Sequence, residues 1–338
     1  MRLHFLSVVA CVVPLLANAA PITAQETRAV KEIETPATQT KGVASPDLEA
    51  VKKAPLKKIQ TPTKKRAKKR RGRKKKKKPS FPTRRPHGVD LTLPPLNPRP
   101  FDAGERLHFN VMMFGQHAGE TILAVGEEEI KNGKRALPLG GFLRGSPFLN
   151  KFYPIENSLH VWLEPKSFRP LFSDFVVDEN KKRMKYITRY DQPRRKVWSL
   201  RYKGKKRLRR RHKPVADVYE PLGCIYAIRS MQLEIGDAFS YYLFDGRKER
   251  IVYVKVLAEE DVTVPAGMFR AKKISISTKI TGGFVSKRMF DLPDRNGTIW
   301  IANDQWSTPL KMIAETKLGP AEAVLTKRYL EAGKIIFP

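Results

Sequence analysis

Residues 107–125 read LHFNVMMFGQHAGETILAV, and their hydrophobic period is two. Leu107, Phe109, Val111 and Met113 fall on one face of an extended chain. After the glycine-containing break at 115–119, Thr121, Leu123 and Val125 do the same, the pattern of an antiparallel hairpin with one face turned to a core. Leu159, Val161 and Leu163 form another alternating set. Met184, Tyr186, Thr188 and Tyr190 turn through 191–194 into Trp198, Leu200 and Tyr202. Phe239, Tyr241 and Leu243, then Val252, Val254 and Val256, then Ile274, Ile276 and Thr278 continue it, and stretches at 298–302, 310–316 and 321–329 close it. Asn132-Gly133 and Asp245-Gly246 are two-residue hairpin signals, since such turns need positive φ. About a dozen short strands at this spacing predict an all-β fold, an antiparallel sandwich or open barrel. One segment departs from the period. Asp217-Val-Tyr-Glu220 has the form of a capping box, and Leu222, Ile225, Tyr226 and Arg229 follow at helical spacing. One short helix is therefore expected over 217–232, with Cys224 a small buried thiol.

Ahead of this domain the composition changes. Residues 1–24 have the form of an export signal: Arg2, a 12-residue apolar stretch at 5–16 and the small-x-small triplet Ala17-Asn18-Ala19. Twelve helical residues span only about 18 Å, too short for the roughly 30 Å of hydrocarbon that a membrane anchor must cross. Cys11 follows a lipoprotein-like Val8-Val9-Ala10, but it sits too early within the apolar stretch for acylation. Residues 25–100 lack a hydrophobic period, and 13 of the 15 residues at 64–78 are Lys or Arg. Seven prolines follow between Pro79 and Pro100. A run of like charge repels itself and buries nothing, so 25–100 is expected to be a disordered cationic tether.

The distribution of charge narrows the function. The whole chain of 338 residues carries +33, of which 1–100 hold 24 basic and 6 acidic residues. Residues 181–213 alone hold 17 basic residues against the single acid Asp191, and the rest of the domain is close to neutral. Within that stretch Lys203, Lys205, Lys206, Arg207, Arg209, Arg210 and Arg211 crowd beside Trp198 and Tyr202, a combination suited to anions because guanidinium groups grip phosphate in a fork. The bland alternative is a solvated loop with aromatics belonging to the core. The basic run at 64–78 also has the composition of a nucleic-acid-binding tract. The leader argues instead for an anionic lipid, a glycolipid or an envelope polymer, met through 64–78 and 203–213.

Catalytic and metal motifs are sparse. There is no phosphate-binding glycine loop, zinc helix or nucleophile elbow; Gly145-Ser146-Pro147 lacks the second glycine and the amide an oxyanion hole needs. His87, His108, His117, His160 and His212 show no ligand spacing and read as surface histidines, so no metal or other cofactor is expected. The acidic clusters at 127–129 and 259–261 read as solvated strand ends.

Taken in order, several pieces resemble the bacterial exported proteins of domain-of-unknown-function family 3108. Phe101-Asp-Ala-Gly-Glu105-Arg-Leu107-His-Phe109 is similar to its opening strand and Ala118-Gly119 to its first turn. Trp162-Leu-Glu-Pro165 with Phe168-Arg-Pro170 resembles its corner, and the segment from Asp217 to Arg229 resembles its helix. Leu233-Glu-Ile-Gly236-Asp237, the Val264-Pro-Ala-Gly267 turn, and Ile299-Trp-Ile-Ala-Asn-Asp304 with Pro309-Leu310 complete the set. The resemblance covers nearly all of 101–330 and implies an exported envelope protein of antiparallel β fold, with no catalytic residues to carry over. The expectation is a non-catalytic protein of the periplasm or outer envelope. A peptidoglycan or glycan hydrolase, with Asp304 beside Trp300 as its first carboxylate, is the alternative; a basic nucleic-acid-binding protein is the third reading.

Overall fold

A computed structural model describes residues 82–84, 86, 88–316 and 319–330. The leader at 1–24 and the basic run at 64–78 lie outside the described residues, as does most of the tether. Strands β1 (Glu105–Met113), β2 (Gln116–Val125), β3 (Glu129–Lys131) and β4 (Lys134–Gly145) lead into a short helix, α1 (Pro147–Phe152). Five further strands follow: β5 (Ile155–Leu163), β6 (Pro170–Glu179), β7 (Lys182–Asp191), β8 (Lys196–Lys203) and β9 (Lys206–His212). A two-residue strand, β10 (Val218–Tyr219), precedes helix α2 (Pro221–Arg229). The chain then runs through β11 (Ala238–Phe244), β12 (Lys248–Val264), β13 (Gly267–Gly283), β14 (Arg295–Ala302), β15 (Pro309–Thr316) and β16 (Gly319–Leu330).

All sixteen strands form one sheet, ordered β10-β11-β12-β13-β14-β15-β16-β1-β2-β4-β5-β6-β7-β8-β9, with β3 beside β4. Every pairing is antiparallel except β10 with β11. The two ends of this order do not pair with each other, yet their side chains meet. The Tyr190 hydroxyl on β7 donates to the Phe244 carbonyl on β11 at 3.1 Å, and Gln192 donates to the Val218 carbonyl at 2.8 Å. The sheet is therefore a curled, open barrel and not a two-sheet sandwich. Alternation holds on β1, whose inward residues Leu107, Phe109 and Val111 are buried.

Helix α2 lies inside the curl, and all nine of its residues are buried. A helix enclosed on every side has no reason to be amphipathic, which accounts for the apolar run PLGCIYAIR. It is shorter than the 217–232 pattern predicts, because Asp217 pairs with Arg169 and Val218–Tyr219 joins the sheet. Glu220 is the cap: its carboxyl accepts from the amides of Leu222 and Gly223, and Pro221 takes the first helical position. At Gly223 an added Cβ would stand 2.9 Å from a Leu163 methyl, so the helix meets β5 through bare backbone. The 245–246 turn also differs from its sequence signal. Only Gly246 has positive φ, and Asp245 accepts from the amides of Arg247 and Lys248, making a three-residue link.

At its far end α2 is tied to the wall by charge. Arg229 binds Glu105 in a fork at 2.7 and 3.0 Å, with both side chains fully buried, and Arg328 reaches the same carboxylate at 3.1 Å. The remaining Arg229 donors meet the carbonyls of Ser307 and Trp306 at 3.0 and 3.1 Å, and Phe101 and Tyr226 flank its guanidinium. Asp304 folds that loop by accepting from the Trp306 and Ser307 amides, both at 2.9 Å. Three distant pieces of the family pattern thus converge on one guanidinium. The approach to β1 also runs against the domain. The Asn97 amide donates to Ser230, the Gln232 amide to Pro95, and Leu96 bridges to Met231.

Candidate anion-binding face

The basic segment 203–213 is a strand for most of its length. β8 and β9 form a hairpin whose tip is Gly204-Lys205, and β9 is an outer edge of the sheet. Lys-Arg-Leu-Arg-Arg-Arg-His has a single apolar residue and no hydrophobic alternation to mark β9 as a strand; it is extended because β8 supplies a ladder from Val197↔His212 to Lys203↔Lys206.

Register then sorts the candidate residues. Period two places Arg207, Arg209 and Arg211 on one face, directly opposite Tyr202, Leu200 and Trp198 of β8. Those in turn lie opposite Lys185, Ile187 and Arg189 of β7. The result is three rows across the outward face: Lys185–Tyr202–Arg207, Ile187–Leu200–Arg209 and Arg189–Trp198–Arg211. Arg207, Arg209 and Arg211 are exposed, while Trp198, Leu200 and Tyr202 are half-buried between them. The Arg207 guanidinium stands 5.9 Å from the Tyr202 ring. Neighbours two apart on a strand are roughly 6.7 Å apart, so the three arginines extend about 13 Å along the edge. Among the described residues no carboxylate lies within ion-pair distance of Arg207, Arg209, Arg211, Lys203, Lys205 or Lys206. By contrast Lys185 is paired with Asp174 at 2.7 Å.

The arrangement leaves Arg210 out. It points to the opposite face with Leu208, toward a cleft of about 100 Å³ shared with Tyr186, Arg201, Arg247 and Phe284. Lys203, Lys205 and Lys206 gather at the hairpin tip. Lys185 and Arg189, which share the outward rows, become visible only once the β7–β8 register is known. The same charge has a structural consequence: an edge strand with five Lys or Arg in seven residues resists pairing with another chain.

His212 corrects the surface reading of the histidines. It is 8% exposed and its Nε2 lies 2.7 Å from the Glu249 carboxylate, which also accepts from Thr281. Its strand phase turns it inward, where it stacks on Phe244. His108 pairs with the Tyr329 hydroxyl at 2.7 Å, and burial lowers the His160 pKa. The described residues contain no cluster of three or more His, Cys, Asp or Glu side chains placed to share a metal ion.

Several residues with catalytic potential make structural contacts. Burial pushes the Cys224 thiol up to about 12, and its Sγ donates to the Pro221 carbonyl. Asp304 is engaged by its turn, and the neighbouring Trp300 donates instead to Glu260 at 2.6 Å. Glu128 is held by Arg99 and Arg135. Among the described residues Glu220 is the one carboxyl whose burial pushes it well up, to about 8. A cleft of about 450 Å³ opens on the outer face of β1, β2 and β4–β7, where Arg106, Arg144 and Arg183 are balanced by Glu120, Glu156 and Asp178 around Phe142.

A family model for proteins of unknown function, DUF3108, matches residues 106–326. The chain belongs to the DUF3108 family. No curated protein is significantly similar to it. Solved structures with a remote likeness include a β-barrel-like DUF1849 protein from Brucella abortus, at 9% identity and TM-score 0.42, covering 68% of this chain and 98% of that one. A candidate exported protein with a YmcC-like fold from Bacteroides fragilis shows 9% identity and TM-score 0.30, over 71% of this chain and all of its own. A candidate lipoprotein from Parabacteroides distasonis shows 10% identity and TM-score 0.31, with coverage of 71% and 100%.

Proposed function

We propose that this DUF3108 protein is a non-catalytic exported protein of the periplasm or outer envelope, held against anionic envelope components by its basic arm and by the β8–β9 hairpin. Export rests on the leader at 1–24. The observation that carries the binding role is the placement of Arg207, Arg209 and Arg211 on one outward face, unpaired with any described carboxylate and interleaved with Tyr202, Leu200 and Trp198. A solvated decorative charge needs no such order, whereas a surface of phosphates is met best by cations aligned on one side of a rigid strand.

The test is co-sedimentation of the exported chain with phosphatidylcholine vesicles, with and without phosphatidylglycerol. Each cation near an anionic surface contributes about 1 kcal/mol, so R207A/R209A/R211A weakens binding about a hundredfold at low salt. Deleting 64–78 causes a separate, additive loss. Unchanged partitioning of the triple variant in both backgrounds refutes the role of the hairpin.

A further inference from the structure

The described residues expose three phenylalanines strongly, and all three sit at the same end of the barrel. Phe114, in the β1–β2 turn, is 71% exposed; Phe148 and Phe152, on α1, are 66% and 72% exposed. The connections that carry them are neighbours. The Ser146 amide, which opens α1, donates to Ala118 of β2, and the Asn180 amide of the β6–β7 turn donates to Pro154 just beyond α1. β8 lies next to β7 with Met184 opposite Lys203, so the hairpin tip continues the same rim.

Apart from the edge of the Phe114 ring that lies over Gly319, little in the fold uses these rings. Helix α1 buries none of its residues fully; Leu149 packs against the core, Ser146 caps the helix through Leu149, and Asn150 reaches the Gly145 carbonyl, leaving Phe148 and Phe152 outward. Phe148 and Phe152 touch each other edge to face, with centroids 5.5 Å apart. Within the connections around them the charge has one sign, while Glu156 and Asp178 lie on the adjoining strands facing Arg144 and Arg183. The connections at 114–115, 146–154, 180–181 and 204–205 contain no Asp or Glu, and Lys151, Lys181 and Lys205 lie within them, with Lys182, Lys203 and Lys206 at the adjoining strand ends.

We infer that this rim inserts Phe114, Phe148 and Phe152 into the interfacial layer of an anionic lipid bilayer, its lysines resting among the headgroups. Apolar rings beside cations match that layer, where hydrocarbon begins within a few ångströms of negative charge and long lysine stems let the ammonium stay wet. A second copy of the chain fits less well, because pairing two such rims would set the lysines of their connections against one another. The inference rests on the proposed anionic-surface role and names a bilayer as that surface.

The experiment uses the exported chain with Phe152→Cys carrying an environment-sensitive fluorophore, Cys224 being buried. Phosphatidylcholine vesicles with and without phosphatidylglycerol, some containing a shallow spin-labelled lipid, are the probe. Insertion gives a blue shift and quenching that need phosphatidylglycerol. In parallel, F114S/F148S/F152S weakens vesicle binding by roughly tenfold per ring, with an unchanged thermal melt. If the wild-type chain binds these vesicles but the fluorophore is neither shifted nor quenched, insertion is refuted and the electrostatic role stands. If the wild-type chain does not bind them at all, both fail. A dimer in sedimentation that the serine variant abolishes also overturns the inference, assigning the rim to self-association. Should the triple variant fail to fold, the position-152 quenching still gives the answer.

Discussion

Replacing Glu105 with alanine removes the buried carboxylate that binds the guanidinium groups of both Arg229 and Arg328. Arg229 is fully buried, so it cannot recover water when its partner is lost, and its two backbone acceptors at Ser307 and Trp306 do not balance its charge. Breaking a buried pair from one side costs about 3–5 kcal/mol, through the stranded ion and not through the contact itself. In a domain of this size each kcal/mol moves the melting temperature by about 2–4 °C, giving a drop of roughly 6–20 °C. Urea unfolding followed by near- and far-UV circular dichroism measures it, and coincidence of the two probes tests that unfolding is two-state. The control is E105L/R229M, in which neither ion remains at the centre and much of the loss returns, since Arg328 is partly exposed and can turn outward. A loss below about 1 kcal/mol for E105A would show that the convergence of β1, α2 and the 304–307 loop on Arg229 does not hold the helix in place.

Burial raises the Glu220 carboxyl to about 8 from an ordinary 4.5. Between those values the folded chain keeps a proton that the unfolded chain has lost, so stability falls as pH rises across this window and levels off above it. E220Q, which still accepts from the Leu222 and Gly223 amides, removes that slope; a pH-independent difference between variant and parent in urea midpoints would refute the assignment. With its thiol pushed up to about 12, Cys224 stays unreactive toward a disulfide reagent at pH 8 in the folded chain and reacts fully in urea. Rapid labelling of the native protein would contradict its burial.

The period-two stretches were legible because one face of each strand meets a core, as on β1 and β5. β4 was not, since six consecutive residues from Ala136 to Gly141 are buried and both faces lose their alternation. β9 was illegible for the opposite reason: its partner, not its own side chains, makes it a strand. The helix was visible, but its start was misplaced because Asp217 resembles a cap while Glu220 does the capping. Ser146-Pro147, considered only as a failed nucleophile turn, is the cap and first residue of α1. The charge of the candidate face could be read directly from composition. Its division into an outward Arg207, Arg209 and Arg211 and an inward Arg210 needed the pairing register. The Glu105–Arg229 fork joins residues far apart in the chain, and no local pattern announces it.

The middle of the sheet is where its first and last strands meet: β1 lies between β2 and β16, with Glu105 opposite Leu330. Whatever folds early from the amino-terminal half must therefore wait, with one side of β1 unpaired, until the last strand has been made. Closing so long a loop is slow, because the entropy is lost before the contacts form. When β16 arrives it pairs with β15 and β1 together, so a single late step joins two half-sheets into one body. Truncation inside β16 would accordingly disable the whole domain, although it deletes only the outermost stretch of sequence.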